Sequence, residues 1–83
     1  MRHEYYFSRE SIAALAAMPK SQRTKLIARL DALALFPFEG EELSGKGRKE
    51  PIYARSFGDW RVVWWVDVPV FEIQVLAIES RGK

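Results

Sequence analysis

Cysteine is absent from the 83 residues, and histidine occurs once, at position 3. The first absence removes disulfide frameworks, thiolate nucleophiles and cysteine-based zinc sites together, and it suits a reducing compartment. A single histidine, with no Asp/Glu cluster of ligand spacing, offers no set of donors for a transition metal. No metal or cofactor is therefore expected. The opening Met1-Arg2-His3-Glu4 lacks the apolar stretch of a secretory signal, and no run approaches the roughly 20 apolar residues of a membrane span. The expectation is a cytoplasmic protein with no membrane partner. Charge of one sign is lacking as well: 13 basic against 11 acidic residues leave +2, too little to name a nucleic-acid partner.

What is present is a chain 48% hydrophobic and 29% charged, enough for one small core and too short for a second. Residues 1–83 read as a single domain. So small a core leaves little room for an enclosed substrate cavity, which places function on an open face or groove. Charge is polarised along the chain: Lys46, Arg48, Lys49, Arg55 and Arg61 outnumber Glu50 and Asp59, just after the acidic stretch Glu39 to Glu42. The Lys46-Gly47-Arg48-Lys49 run suits either a solvated loop or a surface for phosphates.

His3 to Phe7 is short, aromatic and partly alternating, as in a strand. Ser8 then offers a helix N-cap, and Ile12, Leu15 and Ala16 recur at helical spacing up to Pro19. Ser21 caps a second predicted helix, in which Leu26, Ile27, Leu30, Leu33 and Ala34 form one apolar stripe. Phe36-Pro37-Phe38 stops it, because the residue before a proline is pushed out of the α region. A charged, glycine-rich loop runs from Glu39 to Glu50. Three strands follow at hairpin spacing: Ile52 to Phe57, Trp60 to Asp67, and Phe71 to about Glu79. The order β-α-α-β-β-β predicts an α+β fold with a helical hairpin on one face of a small, mainly antiparallel four-stranded sheet.

Strand alternation sorts the side chains. With Val62, Trp64 and Val66 turned to the helices, Arg55, Arg61 and Arg81 are expected on the uncovered face, with Tyr53 and Trp65 between them. Arginine presents planar donors matched to phosphate, and interleaved aromatics stack on exposed bases. The competing reading pairs the same arginines with Glu79, Asp67 and Glu72 as surface ion pairs worth about 0–1 kcal/mol each. His3 is expected as a surface strand residue. Ser8 and Ser21 are helix caps, not nucleophiles, since no histidine is placed to activate them. Glu39, Glu41 and Glu42 read as a solvated acidic loop.

The element order, the run Tyr53-Ala54-Arg55-Ser56-Phe57-Gly58-Asp59-Trp60-Arg61-Val62-Val63-Trp64 and the later Ile78-Glu79-Ser80-Arg81 together resemble the RelE/ParE toxin superfamily of type II toxin–antitoxin systems. The resemblance spans nearly the whole chain. It implies a toxin neutralised by a cognate acidic antitoxin, the pair together able to sit on operator DNA. In the RelE branch it implies a metal-independent endoribonuclease that cuts mRNA at the ribosome by attack of the ribose 2′-hydroxyl, with Arg55, Arg61 and Arg81 stabilising the reacting phosphate. Pro51 and Tyr53 stand where that branch often places lysines, which leaves Tyr53, or Lys46 and Lys49, for proton transfer. Lys46, Arg48, Lys49 and Trp65 are the candidate RNA contacts. The ParE branch implies instead an inhibitor of DNA gyrase that acts by binding; a plain antitoxin-binding domain is the remaining alternative.

Overall fold

The structure is a computed structural model that describes residues 3–43 and 52–80. In chain order it contains β1 (Glu4–Phe7), α1 (Arg9–Ala17), α2 (Lys20–Leu35), β2 (Glu41–Glu42), β3 (Ile52–Phe57), β4 (Trp60–Asp67), a 3-10 turn at Val68–Val70 and β5 (Glu72–Ser80). The strands form one sheet in the order β1-β5-β4-β3-β2. β1 lies parallel to β5, and every other pairing is antiparallel. The fold is thus the expected α+β arrangement, with five strands instead of four. The added strand is β2, two glutamates within the segment expected to be loop, paired with Ala54 and Tyr53.

Local chemistry explains the helical hairpin. The Ser8 hydroxyl oxygen accepts from the Ser11 N–H at 3.1 Å, capping α1, and the hydroxyl also lies 2.8 Å from the Leu76 carbonyl, which ties the cap to β5. The second helix starts two residues earlier than a Ser21 cap would place it, directly after Pro19, and has no side-chain cap. Arg23 instead ties the two helices together: its Nε and Nη2 donate to the carbonyls of Leu15 and Met18 at 3.0 and 3.2 Å, at the end of α1.

The core lies between this hairpin and one sheet face, where Leu26, Leu30 and Leu33 meet Val62, Trp64 and Val66. A register shift between Val63 and Trp64 breaks the strict alternation of β5. Val75 faces Trp64 before the shift and Ile78 faces Val62 after it, so two residues of opposite parity enter one core. His3 is buried rather than on the surface, its ring edge-on to Phe71 and Phe38 at 5.5 and 6.5 Å. The chain turns there toward the end of α2, where the His3 N–H donates to the Ala34 carbonyl at 2.8 Å.

Trp64 organises the edge of the core that borders β2. Its indole Nε1 donates to the Pro37 carbonyl at 2.8 Å. A Cβ added at Gly40 would lie 2.6 Å from Trp64 Cη2 and 3.0 Å from the Ala54 carbonyl oxygen, so only glycine lets this segment lie flat on the ring. Gly40→Ala is expected to lower stability by about 1–3 kcal/mol through overpacking against an indole that has nowhere to move. The check is urea unfolding, with the midpoint falling and the slope unchanged.

Candidate functional site

The turn Gly58-Asp59 decides which face each candidate residue occupies. Gly58 adopts φ +61, a left-handed conformation that favours glycine, and the two-residue turn sets Phe57 opposite Trp60. The same register then sets Arg55 opposite Val62 and Tyr53 opposite Trp64. Directly facing residues share a face. Tyr53 and Arg55 are therefore rooted on the helix-covered side, whereas alternation alone had placed them beside Arg61 on the open side. Alternation within a strand groups its residues but does not say which group pairs with which; the turn length carried that signal.

Tyr53 belongs to the core. It is only 8% exposed, stacked on Trp64 with centroids 5.9 Å apart and planes 25° from parallel, and met edge-on by Phe38 at 5.8 Å. Burial, and after it the Glu42 carboxylate, pushes its phenol above the ordinary value of 10.0. The unfolded chain therefore releases this proton first as pH rises. The resulting stabilisation is complete below about pH 10 and is lost as pH climbs through the folded value. Tyr53→Phe is expected to make the alkaline decline in unfolding free energy shallower, as measured by urea titrations on both sides of about pH 10.

Arg61 and Trp65 occupy the other face, which no described helix covers. Arg61 stands opposite Ser56 and Glu79, and its Nη1 lies 3.4 Å from Glu79 Oε1. Trp65, partly exposed, stands opposite Ile52 and Gln74. Arg55 nevertheless reaches the same neighbourhood as Arg61. Its guanidinium lies 5.5 Å above the Phe57 ring centroid, donates to the Glu39 carbonyl at 3.3 Å and lies 3.9 Å from Glu39 Oε1. Arg55 and Arg61 thus border one open depression of about 430 Å³, together with Ser56, Ala54, Glu39 and Glu41. Lys46, Arg48, Lys49 and Arg81 lie outside the described residues.

The two glutamates were missed as site residues because a run of acidic side chains before a glycine-rich loop looks like a solvated surface. Gly40 was the available signal, since it lets their segment lie against Trp64. Paired guanidinium and carboxylate groups can act on a phosphodiester together: the cations stabilise charge on the non-bridging oxygens, and a carboxylate accepts a hydroxyl proton. Both ion pairs are exposed, so each contributes at most about 1 kcal/mol to folding. Among the described residues, no group of three or more His, Cys, Asp or Glu could hold a metal ion.

A helical hairpin on one face of a mixed sheet, with β1 beside β5, is the fold of the RelE toxins. A chain from the archaeal RelE–RelB complex of Pyrococcus horikoshii OT3 superposes with a TM-score of 0.81 at 24% identity, covering 100% of this chain and 99% of its own. A chain of the toxin–antitoxin complex RelBE2 from Mycobacterium tuberculosis gives 0.78 at 14% identity, covering 98% of this chain and 100% of its own. The isolated E. coli RelE toxin gives 0.78 at 13% identity, covering 98% and 86% respectively. No protein-family model and no curated sequence matches the chain. The likeness is one of fold.

Proposed function

We propose that this chain is the toxin of a type II toxin–antitoxin module and a RelE-like endoribonuclease that cuts translated mRNA at the ribosome in the cytoplasm. The fold supports the first part, since the solved neighbours include toxins bound to their antitoxins. The observation that carries the second is the meeting of Arg55 and Arg61 with Glu39 and Glu41 around one open depression. In this reading a ribose 2′-oxygen attacks the adjacent phosphorus while Glu41 or Glu39 takes its proton. The bond from phosphorus to the 5′-oxygen breaks, and the same proton returns to that leaving oxygen. The products are a 2′,3′-cyclic phosphate and a free 5′-hydroxyl, with no metal or cofactor consumed. Arg61 and Arg55 hold the charge that builds on the phosphoryl oxygens. An acidic antitoxin, able to place the pair on operator DNA, keeps the toxin silent.

The burial of Tyr53 favours a second reading, a ParE-like inhibitor of DNA gyrase, because it withdraws the expected acid–base tyrosine from the open face. Inducible expression followed by primer extension on cellular messages separates the two, with Arg61→Ala as the companion variant. Growth arrest with new message ends that vanish in Arg61→Ala supports the nuclease. Growth arrest with intact messages and broken DNA supports the gyrase inhibitor.

A further inference from the structure

The depression at Arg55 and Arg61 does not end at the sheet edge. Glu39 and Arg55 also border a second hollow of about 190 Å³, lined further by Arg29, Phe36 and Phe57. Arg29 and Phe57 in turn border a third, of about 290 Å³, between α2 and the Gly58-Asp59 turn, where Lys25 and Trp60 stand. Shared walls make the three hollows one furrow. It runs along α2, crosses the edge of β3 and opens onto the face that carries Arg61.

The two walls of this furrow differ in chemistry. Lys25 and Arg29 lie four residues apart on α2, on one side of the helix, and both are exposed. Across from them stand Phe57 and Trp60, and the indole is fixed by a hydrogen bond from its Nε1 to Gln22 Oε1 at 2.9 Å. Asp59 is the acidic residue lining this stretch. Cations spaced along a wall, facing aromatic rings held in place, suit a chain of alternating phosphates and flat bases.

Resting on the ribonuclease reading and extending it, we propose that this furrow binds single-stranded RNA beyond the reacting phosphate, with phosphates on Lys25 and Arg29 and a base against Trp60. The occupant is an extended polynucleotide because the furrow joins three successive hollows and because its cations lie at intervals instead of in one cluster. An acidic protein segment satisfies the cations but makes no use of an aromatic ring held in place beside them.

The test uses 2′-O-methyl oligonucleotides, whose blocked hydroxyl prevents cleavage, so binding is read apart from chemistry. The wild-type chain is expected to bind a hexanucleotide about tenfold or more tighter than a dinucleotide. In the Lys25→Ala/Arg29→Ala double variant, both changes being on the helix surface, that ratio falls toward one. The salt slope for the hexanucleotide also falls, by about 1.4, as two phosphate contacts are lost. Equal affinity for both lengths in the wild type, or a ratio preserved in the variant, overturns the proposal. So does a variant that loses affinity for an acidic antitoxin peptide while its RNA binding is unchanged. A chain that binds by length but never cuts RNA keeps the furrow and loses the nuclease; one that cuts RNA with no length effect does the reverse.

Discussion

Trp64→Ala is expected to leave the domain largely unfolded at 37 °C. The indole is fully buried, stacked on Tyr53, under Gly40 and hydrogen-bonded to Pro37. Truncating a buried aromatic to alanine typically costs about 3–5 kcal/mol in lost contacts and residual cavity. The abandoned Pro37 carbonyl adds about 1–3 kcal/mol if it stays buried without a partner. A chain of this size has only roughly 4–12 kcal/mol of net stability to lose. Circular dichroism across a thermal scan checks the outcome, and Trp64→Phe, which keeps a ring but not the N–H, should fall between the two. A loss below about 1 kcal/mol in Trp64→Ala would show that the segment from Pro37 to Gly40 collapses onto the core without the indole.

The second large effect concerns chemistry and not folding. On the ribonuclease reading proposed above, Arg61→Ala is expected to slow RNA cleavage by about 10²–10³-fold, the usual consequence of removing one fixed donor from a developing oxyanion. Its side chain is partly exposed and its ion pair with Glu79 is a surface one, so the fold should survive the change. Arg61→Lys should recover only part of the rate, since an ammonium keeps the charge but loses the planar, two-pronged donor geometry. Rates of cleavage on a translated message, measured beside the melting temperature of each variant, separate a chemical defect from a structural one. Wild-type cleavage by a folded Arg61→Ala protein would falsify the phosphate-stabilising role.

Much of the architecture could be read from local chemistry. Ser8 marked the start of α1, the Leu26–Ala34 stripe marked the buried face of α2, and the glycine and proline positions marked the limits of β3 and β4. What escaped was set by partners distant in sequence. β2 is only two residues long, and its glutamates have no strand character until Ala54 and Tyr53 lie beside them. The bulge in β5 leaves no mark on local alternation because valine, leucine, alanine and isoleucine at 75–78 suit either face. His3 looked like a polar terminal residue, yet Phe38 and Phe71 arrive from separate turns to enclose it. The arginine site was half legible for the same reason: Arg61 needed only its own strand, whereas the approach of Arg55 depends on a hairpin register and on a backbone segment laid against Trp64.

The parallel pairing of β1 with β5 sets the order of events during synthesis. Glu4 lies beside Glu72, and the strand that separates β1 from the rest of the sheet is the last to be made of the strands among the described residues. A nascent chain lacking that strand has nothing for its first strand to join, and contacts spanning so much sequence form late. The Arg61–Glu79 pair and the face around it therefore come into being only after translation has passed residue 80.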